Sequence, residues 1–402
     1  MDKIKAGVIG YGQRGHGMLS LLLDMPEKVE IVGVCDLFED RMLAAQEKVK
    51  TKGGYDCKCT QNAYELIDDP DVNTIYIFAA WEAHIPLSIY SMKAGKAVAC
   101  EVAGAYRIQQ CWDLVKTYEE TKTPIMMLEN CCYGRKELMC LNMAQKGFFG
   151  EIVHMDGAYC HDLRGEIADG NIIRHYRLRN YINRNCENYP THEIGPIARI
   201  LGINNGNRFL SLSSFSSKAA GLEQFIKDNP EKYADLQNQR FNQGDVITTI
   251  LTCAGGQTVR LTLETTLPRS YSRNFTVHGT KGMYFEDTES VYENGNTEHH
   301  KCEWSWKPQW GNAKDYEEEW LHPLWKKYEA EGVKKGHGGM DWLELVDFAD
   351  SLLEGRPMPI NVYDMATWMA ITALSEDSIA KGGAPVEFPD FTNGLWLFNE
   401  AF

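Results

Sequence analysis

The segment IKAGVIGYGQRG, residues 4–15, decides the fold of the first part of this chain. Residues 4–9 form a short β-prone run, and Gly10, Gly12 and Gly15 follow in the spacing GxGxxG. The next residues, MLSLLLDM, have the apolar density of a helix, and EIVGVCD, residues 30–36, reads as a second strand that ends at Asp36. A strand, a glycine turn, a helix, a strand and an acid in this order predict a βαβ unit that binds a dinucleotide.

The chemistry of such a unit assigns a role to each part of the turn. The glycines allow a tight turn, a close approach of the backbone to a pyrophosphate and close packing of the helix on the strand. The start of the helix offers amide donors and a positive dipole end. Asp36 suits a ribose 2′-hydroxyl and would repel a 2′-phosphate, so we predict NAD rather than NADP. The predicted cofactor contacts in this unit are Gly10, Gly12, Gln13, Arg14, Gly15 and Asp36.

The alternation of strands and helices continues to residue 129 and then stops. Repeated βα units predict a Rossmann domain over residues 1–129, with a parallel sheet covered on both faces. Later runs such as GEIVHMDGAYCHDL and DVITTILTCAGGQTVRLTLETTLP read mostly as strands. For residues 130–402 we therefore predict an α+β substrate domain with a large, open, mostly antiparallel sheet.

Composition and charge exclude several classes of protein. The chain has 402 residues, 44% of them hydrophobic, and a net charge of −15. This charge argues against nucleic acid and anionic membranes as partners. No apolar run has the roughly 18 residues that a membrane helix needs. The opening MDKIKAGVIG does not resemble a signal peptide, and the 12 scattered cysteines are typical of reduced thiols. We therefore expect a cytoplasmic protein.

The segment WEAHIPLSIYSMKAGKAVACEVAG, residues 81–104, resembles a pattern of the glucose–fructose oxidoreductase and inositol dehydrogenase (Gfo/Idh/MocA) superfamily. The resemblance implies that Trp81, His84 and Glu101 lie at the cofactor. Members usually have Lys-Pro after the glutamate, whereas this chain has Val102-Ala103. The superfamily lysine helps to deprotonate a sugar hydroxyl, so its absence argues against a plain sugar dehydrogenase.

Five further segments resemble glycoside hydrolase family 109, which contains NAD-dependent α-N-acetylgalactosaminidases. They are MLENCCYGR (127–135), GAYCHDLR (157–164), HYRLRN (175–180), NYPTHEIGPIARILGINNGNRF (188–209) and GHGGMD (336–341). The resemblance implies a glycosidase for N-acetylgalactosaminides, with the α anomer favoured, and a homo-oligomer formed through the open sheet. It places the catalytic site on Glu129, Tyr159, Tyr189 and His192, and we expect a helix to begin near the Gly195-Pro196 step. For substrate binding we expect Arg177, Arg179 and His337.

An NAD-dependent glycosidase departs from the usual scheme of two carboxylates. The resemblance implies oxidation of the sugar at C3, elimination of the aglycone across C1 and C2, addition of water at C1, and re-reduction at C3. Such a route needs proton transfer at the C3 hydroxyl, at C2 and at the leaving oxygen. We assign His192 to the C3 hydroxyl or the leaving oxygen and Tyr159 to C2, while Glu129 orients the substrate or acts as the base instead. The sequence does not order these roles.

Two other functions remain open at this point. The first is an NAD-dependent sugar or inositol dehydrogenase of the same superfamily, and the second is a non-catalytic NAD-binding regulator. The Tyr189–His192 segment argues against the regulator, which would need no acid or base beside the nicotinamide. His161 and Asp162 lack a third ligand at convincing spacing, so we predict no metal.

Overall fold

The computed structural model of the chain describes residues 2–299, 304–332 and 336–398. The chain divides into two compact units. The first consists of Met1–Tyr133 and Lys327–Thr367, and the second of Gly134–Lys326 and Trp368–Phe402. Each unit is described separately below.

The first unit contains a parallel sheet of six strands, counted over the described residues. The strand order is β3-β2-β1-β4-β5-β6, so the order reverses between β1 and β4, where ligands of such sheets bind. All residues of β4, β5 and β6 are buried, as expected for a parallel sheet with both faces covered. The strands are β1 (Ile4–Ile9), β2 (Val29–Cys35), β3 (Lys58–Thr60), β4 (Thr74–Ile77), β5 (Ala97–Glu101) and β6 (Ile125–Leu128).

The second unit contains an eight-stranded sheet within the described ranges, in the order β13-β12-β11-β7-β10-β9-β8-β14. Its neighbours pair antiparallel except for β7 and β10, which run parallel. Val259, Leu261 and Leu263 are buried and alternate with more exposed polar residues, which gives the sheet one packed face. The strands are β7 (Ile152–Cys160), β8 (Phe209–Ser216), β9 (Val246–Cys253), β10 (Thr258–Glu264), β11 (Thr276–Gly279), β12 (Gly282–Phe285), β13 (Ser290–Glu293) and β14 (Val386–Glu387).

The helices connect these strands and cover the sheets. In chain order, the α-helices of the described residues are α1 (Gln13–Leu22), α2 (Glu39–Lys48), α3 (Ala63–Ile67), α4 (Trp81–Lys93), α5 (Ile108–Thr121), α6 (Arg135–Gln145), α7 (Arg164–Ala168), α8 (Gly170–Ile173), α9 (Arg177–Asn183), α10 (Thr191–Ile200), α11 (Gly221–Lys227), α12 (Glu317–Trp320), α13 (Pro323–Glu331), α14 (Met340–Glu354) and α15 (Val362–Ala380). In the described part of the chain, we find no helix with the length and apolar character required to cross a membrane.

The predicted fold class is confirmed: a parallel Rossmann sheet is followed by a large, mostly antiparallel sheet. The compact units differ from the predicted domains 1–129 and 130–402 in two details, because the first unit extends to Tyr133 and also includes residues 327–367. The segment includes α14, which packs on α1 and on β6. The periodicity of the sequence predicts that helix but gives no information on which sheet it covers.

The predicted start of helix α10 was wrong. We expected it near the Gly195-Pro196 step, whereas it begins at Thr191 and Pro196 lies inside it. Proline inside a helix removes one backbone hydrogen bond, which is why the sequence favoured a boundary there. The helix instead starts directly after Pro190.

Candidate functional site

The glycine turn of the first unit connects β1 to α1. Gly10 has φ +98°, and a Cβ atom at this position would lie 2.6 Å from the carbonyl carbon of Phe78. A Cβ on Gly15 would lie 2.1 Å from the carbonyl oxygen of Gly10, so α1 can start only where this residue has no side chain. Beside Gly12, by contrast, a Cβ would meet nothing nearer than Arg41 Nη1 at 3.8 Å. The turn therefore has the shape that lets a phosphate group approach the backbone closely.

The start of α1 and the end of β2 complete the features expected of a dinucleotide site. Helix α1 has no acidic residue in its first turn, so its positive dipole end is left for an anion. The carboxylate of Asp36 accepts hydrogen bonds from the backbone amides of Tyr11 at 2.7 Å and Phe38 at 2.9 Å. These bonds fix the carboxylate just after β2, where a ribose hydroxyl can still use its remaining lone pairs. The residues present thus fit NAD.

Arg14, predicted at the cofactor, is the centre of an ion cluster within the first unit. Its guanidinium lies 2.5 Å from Glu101, 2.8 Å from Asp341 and 3.2 Å from Glu344. Burial alone would lower the pKa of Arg14, but the three carboxylates together raise it well above its usual value. The side chain therefore fastens the glycine turn to β5 and α14. Gln13, the other predicted turn residue, is the first residue of α1.

His337 belongs to the same cluster, on a short 3₁₀ turn over His337–Gly339 that precedes α14. Its Nδ1 atom lies 2.6 Å from Asp341 Oδ2. The hydrogen bond to Asp341 raises the pKa of His337. Burial alone would raise the pKa of Asp341, whereas His337 and Arg14 hold it well below its usual range. Asn130 donates to the other oxygen of Asp341 at 2.7 Å, so the GHGGMD segment is tied to the end of β6.

The other predicted residues of the first unit are more deeply buried. His84 is only 1% exposed, its Nε2 atom lies 2.8 Å from the carbonyl of Ala79, and burial lowers the pKa of His84 to about 4. Trp81 is also buried, at the start of α4. These positions indicate that Trp81 and His84 support the loop after β4 rather than contact a ligand directly. Glu129 follows β6, is fully buried and accepts a hydrogen bond from the amide of Cys131 at 3.0 Å.

In the second unit, three predicted catalytic residues lie together. The ring centroids of Tyr159 and Tyr189 are 4.7 Å apart, those of Tyr189 and His192 are 4.7 Å apart, and those of Tyr159 and His192 are 5.6 Å apart. Both tyrosines are buried, with 7% and 9% of their surface exposed, and His192 is half-buried. Two phenols and an imidazole thus share one edge-to-face cluster.

The packing of α10 against β7 produces this cluster. Gly157 and Tyr159 are two residues apart on β7 and therefore point to the same face of the sheet. A Cβ on Gly157 would lie 2.9 Å from Ile197 Cδ1 and 3.0 Å from the carbonyl oxygen of Glu193, so α10 lies directly on this strand. His192 is the second residue of α10, and Tyr189 comes just before Pro190. The first turn of the helix carries His192 to Tyr159, and the segment just before the helix carries Tyr189 there.

Of the two predicted substrate arginines, the structure brings only Arg177 to this cluster. Its guanidinium carbon lies 4.8 Å above the ring of Tyr189, and its Nε atom lies 2.9 Å from Glu166. Burial alone would lower the pKa of Arg177, but Tyr159, Tyr176 and Glu166 raise it well above its usual value. Arg179 is exposed on the same helix, α9, because residues two apart differ by about 200° around a helix axis.

A pair of buried glutamates marks the two ends of the NYPTHE region: Glu187 directly precedes the segment and Glu193 is its last residue. Glu187 and Glu193 are 0% and 1% exposed. Burial raises the pKa of Glu187 to about 8. Burial and the neighbouring Glu187 raise the pKa of Glu193 well above its usual range. The backbone amide of Glu187 donates to Ser375 Oγ at 2.8 Å, which fixes the start of the segment. Such a pair holds a proton between two carboxyl groups at neutral pH.

Three residues next to the cluster were not predicted from the sequence as part of the site. His161 Nδ1 lies 3.4 Å from the hydroxyl of Tyr159, and burial lowers the pKa of His161. The ring of Tyr271 lies 5.2 Å from that of His161, and Glu166 pairs with Arg177. The i,i+2 spacing of Tyr159 and His161 on a strand end could have indicated the histidine. No comparable signal exists for Tyr271, which follows β10 in an irregular segment.

Two family models match consecutive parts of the chain. Residues 4–128 match the family model described as oxidoreductase family, NAD-binding Rossmann fold. Residues 133–398 match glycosyl hydrolase 109, C-terminal domain. Levoglucosan dehydrogenase, solved in complex with NADH and levoglucosan, has the same fold with a TM-score of 0.70 at 19% identity, over 96% of this chain and 100% of that one. Fold and site thus define an enzyme with an NAD-binding Rossmann fold and a second unit of the glycosidase type.

Relatives of full length specify the family. The chain is 38% identical to a glycosyl hydrolase family 109 protein of Stenotrophomonas maltophilia, over 98% of this chain and 90% of the relative. It is 35% identical to an alpha-N-acetylgalactosaminidase of Tannerella forsythia, over 99% and 88%. The chain belongs to glycosyl hydrolase family 109.

Proposed function

We propose that this enzyme is an NAD-dependent α-N-acetylgalactosaminidase that cleaves its substrate by oxidation, elimination, addition of water and reduction. The observation that carries the proposal is the cluster of Tyr159, Tyr189 and His192 beside the buried cation Arg177. The name alpha-N-acetylgalactosaminidase, carried by relatives from Tannerella forsythia and Shewanella oneidensis, supports the choice of sugar and anomer.

The first unit would hold the cofactor. The backbone of Gly10, Gly12 and Gly15 and the start of α1 would hold the pyrophosphate, and Asp36 would accept from a ribose hydroxyl. When bound, NAD supplies a reversible hydride acceptor for C3 of the sugar, so the net reaction is hydrolysis. Arg14 would act indirectly, because its guanidinium is engaged by three carboxylates and fixes the turn.

The second unit would supply the proton transfers. A ketone at C3 acidifies the C2–H bond, and we assign Tyr159 to remove that proton and later to return it. We assign His192 to the C3 hydroxyl or to the leaving oxygen, since an imidazole can both accept and donate near neutral pH. Glu129 would orient the sugar or act as the base in place of Tyr159. The positive charge of Arg177 would stabilise negative charge that develops on the neighbouring phenols during transfer.

Substrate binding follows from the same arrangement. Arg177 is buried against Tyr189, so it can fix the acetamido carbonyl or a ring hydroxyl by a charge-assisted hydrogen bond. Arg179, on the exposed side of α9, and His337, within the Arg14 cluster, remain predicted substrate contacts. Among the three, we assign the main role to Arg177.

The test is turnover of nitrophenyl α-N-acetylgalactosaminide in D₂O, with NADH absorbance followed in parallel. We expect release of nitrophenol, one deuterium at C2 of the product and no net accumulation of NADH, because the C2 proton exchanges with solvent in each cycle. Tyr159→Phe should lower kcat by about 10²–10⁴-fold and should suppress exchange at C2. Tyr64→Phe, which changes an exposed phenol on α3, is the control and should stay within about threefold of the parent.

Two outcomes would contradict the proposal. Nitrophenol release without deuterium at C2 would rule out elimination across C1 and C2. Steady accumulation of NADH from free sugars, with no release of nitrophenol, would identify an NAD-dependent sugar dehydrogenase instead. A panel of nitrophenyl glycosides that differ in sugar and anomer tests the substrate assignment. If the enzyme cleaves only another glycoside of the panel, that glycoside replaces the α-N-acetylgalactosaminide as the assigned substrate.

A further inference from the structure

A second polar cluster lies on the opposite face of the sheet from Tyr159. Side chains alternate along β7, so His154 and Asp156 point away from the face covered by α10. In the sheet register, Thr258 and Arg260 of β10 are the partners of His154 and Asp156, and His278 of β11 is the partner of His154. Two adjacent strands, β7 and β11, therefore bring two imidazoles and a carboxylate to one place, and β10 adds Arg260 beside them.

The distances within this cluster match those of a metal-binding site. His154 Nε2 lies 3.2 Å from Asp156 Oδ1, and His278 Nε2 lies 3.3 Å from Asp156 Oδ2. One potential ligand atom from each of the three residues lies within 4.8 Å of the others. A tetrahedral ion with bonds of about 2.1 Å separates its ligand atoms by about 3.4 Å. An ion could therefore be accommodated between the three groups with little movement of the strands.

We propose that His154, Asp156 and His278 bind a divalent transition metal of the zinc type, with the remaining coordination position open to solvent. Two imidazoles and one carboxylate are a ligand set that zinc uses, whereas magnesium and calcium prefer oxygen ligands. The site differs from the expectation that the chain has no metal centre. The ligands His154 and Asp156 are only two residues apart, but His278 comes from a distant strand that the sequence does not place beside them.

The surroundings of the ligands favour binding. Asp156 is only 6% exposed, and the two histidines are about one-third exposed, so the carboxylate is fixed while solvent can reach the rings. His154 Nδ1 lies 2.7 Å from Thr258 Oγ1, and such a second contact orients a ligand histidine. Both carboxylate oxygens of Asp156 face nitrogen atoms, with His154 Nε2 and Arg260 Nε near Oδ1 and His278 Nε2 near Oδ2. The carboxylate is thus ready to bind a cation.

Arg260 is the competitor for this carboxylate. Its Nε atom lies 2.7 Å from Asp156 Oδ1, and 48% of its side chain is exposed. Because about half of the Arg260 side chain already contacts solvent, a metal ion can displace the guanidinium from Asp156 into water. Arg260 therefore provides a variant that should strengthen metal binding, which general damage to the sheet would not do.

The experiment uses the full-length protein without an affinity tag, treated with a chelator and then titrated with Zn²⁺ by calorimetry at pH 7.5. Co²⁺ serves as a second probe, because its visible absorption reports tetrahedral nitrogen and oxygen ligands. We expect one equivalent of either metal per chain and no comparable binding of Mg²⁺. Binding should weaken at acidic pH, because metal binding requires deprotonated ligands.

Variants assign the binding to this cluster. His278→Ala and His154→Ala should each weaken Zn²⁺ binding at least tenfold, and Arg260→Gln should strengthen it several-fold. His16→Ala is the control for adventitious binding, since His16 lies in the first unit beside Lys48. Unchanged affinity in His278→Ala, or stoichiometric binding lost in His16→Ala, would overturn the proposal. So would weaker binding in a folded Arg260→Gln variant or the absence of any binding in the parent protein.

Discussion

The Arg14 cluster of the first unit and the Tyr159 cluster of the second unit are organised in opposite ways. In the first, one cation binds three carboxylates, and the features that would contact a ligand are backbone amides and glycines. In the second, two phenols, an imidazole and a buried guanidinium are packed ring against ring. Charge pairing in one unit fixes a backbone shape, whereas burial in the other positions side chains. Substitutions should therefore affect mainly stability in the first cluster and mainly catalysis in the second.

The largest effect that this comparison predicts is on Arg14→Met. Removing one partner of a buried ion cluster leaves unpaired charge, which costs about 3 kcal/mol or more, so the free energy of unfolding should fall by about that amount. Denaturant unfolding measures it. Glu344 is fully buried, so a second substitution can remove one of the uncompensated carboxyl groups. The double variant Arg14→Met, Glu344→Gln should therefore regain about 1 kcal/mol or more of the free energy of unfolding. No recovery would mean that Arg14 stabilises the unit through packing alone.

The next effect concerns the glycine turn itself. Gly15→Ala places a Cβ 2.1 Å from the carbonyl oxygen of Gly10, so the backbone must shift, at a cost of about 1–3 kcal/mol. NAD binding should weaken at least tenfold because the turn that would hold the pyrophosphate is displaced. Calorimetry with NAD and thermal unfolding measure the two effects.

Gly17→Ala is the matched control for that variant. Gly17 lies in the same helix, α1. Apart from its chain neighbours and the backbone of the helix itself, no heavy atom of the described residues lies within 4 Å of a Cβ at this position. Alanine at this position should stabilise the helix by about 0.5–1 kcal/mol and should leave NAD binding unchanged. Equal behaviour of the two variants would show that close packing of the turn does not govern cofactor binding.

The two clusters also differ in how far the sequence could predict them. The glycine turn and Asp36 lie within 27 residues of one another, in a fixed order along the chain, so elementary chain geometry predicts their arrangement. The ion pairs of Arg14 with Asp341 and Glu344 could not be predicted, since these partners follow more than 300 residues later in the chain. The GxGxxG spacing indicates the backbone shape of the turn but not the side chains that stabilise it.

In the second unit, the predicted residues were chosen on a different ground. Tyr159, Tyr189 and His192 were singled out by resemblance to a family, and the packing of α10 on β7 brings them together. The sequence did not indicate that Glu187 and Glu193 are buried, because glutamate side chains are ordinarily exposed. The start of α10 was misplaced for a related reason, since Pro196 signalled a helix boundary that the rest of the packing overrides.

Within the second cluster, the two arginines of α9 allow a matched comparison. Arg177→Met removes the buried cation beside Tyr189 and should lower kcat/KM by about 10–100-fold, equivalent to about 1.4–2.7 kcal/mol of transition-state stabilisation. Arg179→Met, two residues later on the exposed side, should change kcat/KM by less than about threefold. Steady-state kinetics on nitrophenyl α-N-acetylgalactosaminide measures both. A larger effect at Arg179 would move substrate recognition to the other side of the helix.

The smallest expected effect is a change in the pH dependence of stability from Glu187→Gln. The pKa of Glu187 is raised by burial to about 8, whereas an unfolded glutamate titrates near 4.3. The folded state therefore binds more protons than the unfolded state across this window, and the contribution of Glu187 to stability is lost as the pH rises from about 4 to about 8. Glutamine carries no charge at any pH, so the variant should gain about 1–2 kcal/mol relative to the parent between pH 6 and pH 8. Denaturant unfolding at several pH values measures the difference, and Glu231→Gln, at an exposed position, should follow the parent. Parallel curves of unfolding free energy against pH for all three proteins would mean that the carboxyl pair does not take up a proton on folding. The NYPTHE segment would then be held by its backbone contacts alone, such as the hydrogen bond from the Glu187 amide to Ser375.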